Sequence, residues 1–232
     1  MSDLALTEAE RTRILAKSAL FDPPTAAMPD GRRDLVGLSR EELAAELAAV
    51  GEPAFRAKQV WHWIYHQGVT DFARMSSIAR PLQQKLAERF VVGRPDAVTV
   101  QTSADETRKF LFRFRDGQEA ETVYIPDPVE DRGAVCISSQ VGCTLSCRFC
   151  HTGTQALVRN LGAAEIVGQF MAARDSYGEW PSPHRETPRL LSNIVLMGMG
   201  EPLYNFESVA NAMTNVMDGE GIGLSRRRIT LS

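Results

Sequence analysis

Cysteine is missing from almost the whole chain: only four of 232 residues are cysteine, at positions 136, 143, 147 and 150. That confinement argues against a disulfide framework, which needs half-cystines spread widely enough to staple distant segments. Long apolar runs are missing too, and nothing approaches the roughly 20 residues of a membrane span. The first residues, MSDLALTEAERTRILAKSALF, carry charges every few positions and lack the apolar centre of a secretory signal. These absences lead to the expectation of a soluble, cytoplasmic protein with no membrane partner. Neither sign of charge is in large excess. With a net charge of −3, any nucleic-acid surface would have to be a local patch.

What is present suffices for a sizeable core. Hydrophobic residues make up 44% and charged residues 24% of the chain, ordinary globular values, and the length suits one large domain or two unequal ones. Residues 1–36 contain FDPPTAAMPDGRRD and no sustained apolar period, which predicts a mobile lead-in. From Ser39 the pattern changes. SREELAAELAAVG carries a capping box, Ser39 with Glu42, apolar Leu43, Leu47 and Val50, and a stop at Gly51. FRAKQVWHWIYHQG and ARPLQQKLAERFV continue with helical spacing, the latter through Leu82, Leu86 and Phe90, so residues 37–92 read as a small helical domain.

Beyond Gly93 the period falls to two. KFLFRFRDGQEAETVYIP puts Phe110, Phe112 and Phe114 on one face and turns at Asp116-Gly117, the pattern of a β-hairpin. Then GAVCISS reads as a strand, LGAAEIVGQFMAARDSY as a helix, SNIVLMGMGEPL as a strand entering a glycine-rich turn, NFESVANAMTNVMDG as a helix and RRRITLS as a strand. This order predicts an α/β fold over 93–232 with a parallel sheet. Chemistry in such sheets gathers at the C-terminal strand ends, where both the cysteine loop and the GMGEP turn emerge.

Cys143-x3-Cys147-x2-Cys150 can present three thiolates to one inorganic centre. Structural zinc usually takes four ligands, and the nearby candidates for a fourth are His151 and Cys136. A 4Fe-4S cluster held by three thiolates would keep one iron open to substrate, with Phe149 placed to shield one side. C-x3-C-x2-C with an aromatic before the last cysteine resembles the signature of the radical S-adenosylmethionine superfamily, and GMGEPL at 198–203 resembles its second motif. ETVYIP, CISSQVGC, CRFCHTG, MGMGEPLYN and, in the helical part, GEPAFRAKQVWHWIY are similar to the RlmN family, from about residue 37 to the end.

That resemblance implies a partial (βα) radical S-adenosylmethionine barrel preceded by a helical accessory domain that binds RNA and by a β-hairpin extension. It implies methylation of adenine C2 in 23S ribosomal RNA and in transfer RNA. Cys143, Cys147 and Cys150 would hold the 4Fe-4S cluster, while Gly200, Glu201 and Ser232 would contact S-adenosylmethionine. In the implied route one S-adenosylmethionine methylates a cysteine near the C-terminus. A second yields a 5′-deoxyadenosyl radical that takes hydrogen from that methyl group, and the methylene radical adds to C2. Glu121 would accept the C2 proton and the Cys136 thiolate would resolve the adduct. The family further implies an electron donor such as flavodoxin and, when complete, a monomer. No cysteine follows Cys150, so the methyl-carrying cysteine has no counterpart, and a partial sequence that lacks turnover on its own is expected.

Other readings of the same residues stand beside these. Glu121 would otherwise be a solvated strand-end carboxylate and Cys136 a buried, inert thiol. Trp61, Trp63 and Tyr65, at helical spacing, suit a core better than base stacking. Arg226-Arg227-Arg228, with Arg56, Lys58, Arg113 and Arg115, form either a phosphate-binding patch or a solvated face. At the level of function, the alternatives are a Cfr-like adenine C8 methyltransferase and a non-catalytic, zinc-stabilised RNA-binding module.

Overall fold

The structure is a computed structural model that describes residues 21–23, 28, 30–183 and 188–232. Most of the expected lead-in lies outside the described residues. Its last part, however, is structured. Strand β1, Arg33–Asp34, pairs in parallel with β2, Phe90–Val91, and Asp34, Leu35 and Val36 are buried. A buried carboxylate is tolerated when its oxygens are satisfied. Asp34 accepts from the backbone N–H groups of Val36 and Gly93, each at 3.0 Å, and pairs with Arg115.

Helix α1, Arg40–Ala49, starts where the capping box places it: Ser39 Oγ accepts from Glu42 N at 3.1 Å, and Ser39 N donates to the Glu42 carboxylate at 2.7 Å. Helix α2, Phe55–Trp61, runs into a π-helical turn, His62–His66. Val60, Trp61, Ile64 and Tyr65 are buried, so Trp61 and Tyr65 serve the core; Trp63 is half-buried and donates to Ser77 Oγ at 2.8 Å. In α3, Arg80–Arg89, Leu82 and Leu86 face inward. Phe90 does not continue that helix. Its backbone is extended and carries the chain into β2, while its ring stays in the core.

Six strands form the main sheet, in the order β10-β9-β6-β5-β4-β3. β4, Arg108–Arg113, and β5, Glu119–Pro126, make the expected hairpin, with Phe110, Phe112 and Phe114 buried. β3, Asp96–Thr102, adds an unforeseen edge strand whose residues are all exposed. With neither face buried, it has no inward residues to impose an alternation. β6, Gly133–Cys136, β9, Leu191–Leu196, and β10, Ile229–Leu231, run parallel, joined through α4, Ala163–Tyr177, and α5, Phe206–Met217. Ile166, Phe170 and Met171 of α4 are buried as expected.

The helical unit and the sheet share one hydrophobic core. Polar clamps join them as well. Asn215 of α5 donates to Leu38 O at 3.0 Å and to the Tyr65 hydroxyl at 3.4 Å, and Arg40 grips Asp218 with two bonds of 2.6 and 2.7 Å. Among the described residues no helix is long and apolar enough to cross a membrane.

Candidate functional site

Strand register decides which side chains share a face, because successive residues point to opposite sides. Gln101, Lys109, Val123, Cys136, Val195 and Thr230 pair in a single row across the sheet. Their face is the one opposite Phe110, Phe112 and Val135, which lie in the core. Cys136, half-buried, ends β6; Gly200 and Glu201 follow β9; Ser232, exposed, follows β10. All three segments leave parallel strands at the same end. Glu121 on the antiparallel β5 lies toward that end too, since Ser138, two residues past Cys136, donates from its hydroxyl to Glu121 O at 2.6 Å. The Glu121 carboxylate pairs with Lys109 at 2.6 Å, both side chains about half exposed.

The two motif loops are bound together through side chains that the sequence did not single out. Met199 N donates to Ser138 Oγ at 2.9 Å, and Met199 O accepts from Ser139 N at 2.8 Å. Gln140, fully buried, has one amide oxygen that accepts from Glu201 N at 3.0 Å and from Thr144 N at 3.2 Å. Its amide nitrogen donates to Thr144 Oγ1 and Asn160 Oδ1, each at 2.8 Å. Asn205, at the start of α5, donates to Ser139 O and Leu161 O, each at 2.7 Å. Glu201 already caps the short turn after it, accepting from Leu203 N at 3.2 Å.

The cysteine loop hangs between two very short strands, β7, Gln140–Val141, and β8, Arg159–Asn160, which pair antiparallel. Arg159 fastens the return strand. Its guanidinium, 8% exposed, donates to Asp116 at 2.6 and 2.9 Å and to Glu165 at 2.8 Å twice. Within the loop Cys150 N donates to Cys147 O at 3.1 Å, and Phe149 stands 95% exposed, so it shields nothing here.

All four cysteines are free thiols. Among the described residues no three His, Cys, Asp or Glu side chains are gathered as a metal-binding group, so the sulfurs of Cys143, Cys147 and Cys150 share a loop without converging. The donor chemistry nonetheless suits a thiolate-bound centre. The backbone N–H of Gly153, then that of Thr152, holds the Cys150 thiol below its ordinary range, whereas burial pushes Cys136 above it against the opposing N–H of Met197. Thiolate, not thiol, is the nucleophile and the ligand. Limited alkylation of metal-free protein at pH about 8 is therefore expected to label Cys150 several-fold faster than Cys136, read by peptide mass spectrometry. Equal rates would contradict the difference in environment.

The basic patch is dispersed. Lys58 pairs with Glu220 at 2.5 Å, Arg113 with Glu119 at 2.7 Å and Arg115 with Asp34, while Arg56 bonds Gln59 at 2.8 Å. Arg226–Arg228 form a short 3₁₀ turn just before β10, at the opposite end of the sheet from the motif loops. There Arg226 and Arg228 border a cleft with Arg132 and Arg189.

Comparison with known proteins agrees with this geometry. The family model described as the ribosomal RNA large subunit methyltransferase N-terminal domain matches residues 33–92. A dual-specificity RNA methyltransferase RlmN of Gluconobacter oxydans is 78% identical over 227 residues, covering 98% of this chain and 56% of that protein. The namesake from Paramagnetospirillum magneticum is 64% identical over 230 residues, 98% of this chain and 50% of the relative. This chain thus spans about half the length of the curated relatives it matches. A radical SAM methyltransferase structure from Sphaerobacter thermophilus superposes with a TM-score of 0.75 at 40% identity, covering 85% of this chain and 56% of the other. The fold is accordingly that α/β architecture, in the part this chain contains.

Proposed function

We propose, from 78% identity to an RlmN along 98% of the chain, that it belongs to that family and serves a radical S-adenosylmethionine methyltransferase acting on C2 of adenine in 23S ribosomal RNA and in transfer RNA. The observation that carries this reading is the joining of the three-cysteine loop to the GMGEP turn at one rim, through Gln140 and Ser138. Cys143, Cys147 and Cys150 would hold a 4Fe-4S cluster, and Gly200, Glu201 and Ser232 would contact S-adenosylmethionine. The cluster, when bound, supplies the electron that cleaves the cofactor reductively.

The chain's own residues then have distinct tasks. Glu121, on the rim, would accept the proton released from adenine C2, with Lys109 balancing its charge when ionised. Cys136, one strand away, would attack the sulfur that links protein to RNA. Burial pushes its thiol above the ordinary range, so it is slower to react until a base takes its proton. Residues 37–92 act as the accessory RNA-binding domain and 93–232 as the catalytic part. We place the protein in the cytoplasm, as a monomer served by a reductant such as flavodoxin.

The test is anaerobic reconstitution of the chain with iron and sulfide. About four irons per chain are expected, lost in Cys147→Ala, with a reduced-cluster EPR signal that changes on adding S-adenosylmethionine. Zinc uptake without iron would overturn the radical reading in favour of a binding module. In a full-length protein that carries the methyl-bearing cysteine, mass spectrometry of modified adenosine, 2-methyl against 8-methyl, separates this activity from a Cfr-like one.

A further inference from the structure

Gln140 is fully buried at the junction of the two motif loops, and all of its hydrogen-bonding capacity is spent there. One oxygen serves two backbone donors on different loops, Thr144 N beside Cys143 and Glu201 N in the turn after β9. The side chain is seated tightly. Gly200 approaches so closely that a Cβ at that position would lie 2.4 Å from Gln140 Cβ. The amide nitrogen is committed to Thr144 Oγ1 and Asn160 Oδ1, which fixes the orientation of the amide and aims its oxygen at the two N–H groups.

We propose that Gln140 is a positioning residue: its carboxamide oxygen sets the spacing between the cysteine loop and the GMGEP turn, and with it the gap that a cofactor bound to both must bridge. The consequence for the cofactor rests on the function proposed above; the coupling of the two loops does not. A buried side chain that satisfies backbone donors from two segments makes the order of each depend on the other, since losing it leaves both donors without a partner. The bonds of Ser139 N and Gln140 N to Met199 O also join the two loops, nearer the strand ends, but they do not satisfy the N–H groups of Thr144 or Glu201, which among the described residues the Gln140 side chain alone serves.

The test is amide hydrogen exchange on the metal-free chain, comparing wild type with Gln140→Met and Gln140→Glu. Methionine keeps the unbranched stem that Gly200 packs against but offers no good acceptor, whereas glutamate keeps the acceptor, its second oxygen accepting from the Thr144 hydroxyl and from an Asn160 amide turned over to present Nδ2. In Gln140→Met the Thr144 and Glu201 amides should exchange at least about tenfold faster together, with Ser139 unchanged, and Gln140→Glu should restore slow exchange at both. Fast exchange of both amides in wild type, or protection that survives Gln140→Met, would overturn the coupling. So would a Gln140→Glu variant as fast as Gln140→Met. In the iron-loaded chain, Gln140→Met should retain the cluster but lose the response of its EPR signal to S-adenosylmethionine, and Gln140→Glu should regain it. A wild-type chain that takes up no iron would defeat the functional reading while the exchange result still decides the coupling.

Discussion

Replacing Arg159 with leucine is expected to lower stability by about 3–5 kcal/mol, the cost typical of removing one partner from a buried ion pair. The guanidinium is 8% exposed and serves two carboxylates, Asp116 at the hairpin turn and Glu165 in the first turn of α4. Leucine fills much of the volume but strands both acids. Burial works against the charge on Arg159, but its hydrogen bonds to Asp116 and Glu165 outweigh that and raise its pKa. The Arg159 hydrogen bond is likewise the main influence holding Asp116 below its ordinary value. A depressed carboxyl contributes stability above its unfolded pKa, and that contribution is lost as pH falls through the folded one. Wild type should therefore lose this increment only at pH below about 4, and Arg159→Leu should show a shallower acid-side slope. Urea denaturation as a function of pH measures both. A loss under about 1 kcal/mol would mean that solvent screens the cluster as it does surface pairs.

Gly200→Ala should be the second large effect, and Gly117→Ala is its control. Both glycines have positive φ, +92° and +83°. An added Cβ at Gly117 meets nothing within 4 Å, so only backbone strain of about 1–2 kcal/mol is expected at that hairpin turn. At Gly200 the same strain is joined by overlap with the Gln140 side chain, for which a further ~1–3 kcal/mol is typical. The two variants share chemistry and differ in surroundings, so their difference in denaturation free energy isolates the overlap. Equal losses would show that Gln140 yields to the methyl group and that the turn is not tightly seated against it.

Much of this architecture could be read before any coordinates. The Ser39–Glu42 capping box, the Phe110–Phe112–Phe114 alternation and the β6-α4-β9-α5-β10 order are local or periodic signals, written within a few residues of the structure they specify. The motif loops were legible for the same reason. What escaped reading has no period. β1, β2, β7 and β8 are two residues each, too short to show an alternation. Phe90 fits the i, i+4 spacing of α3, yet its backbone leaves the helix, so burial alone did not mark the boundary. Gln140, Asn205 and Arg159 owe their roles to partners as far away as Glu201, Ser139 and Asp116. The one hint was their type: long or amide side chains flanking an apolar strand and loop, where a buried polar group must find partners.

The clamps between the helical unit and α5 have a mechanical meaning. Arg40 on Asp218 and Asn215 on Leu38 and Tyr65 hold the unit at several points above a shared core, so swinging it away would break them all together. Under the function proposed above, an RNA would meet a fixed anvil, and the travel needed to bring an adenine to Cys136 and Glu121 would fall on the nucleic acid, whose target base must leave its stack. That extrusion costs a few kcal/mol in a duplex and least in an already unpaired strand. The proposal therefore expects adenines in loops to be preferred over those held in continuous helices.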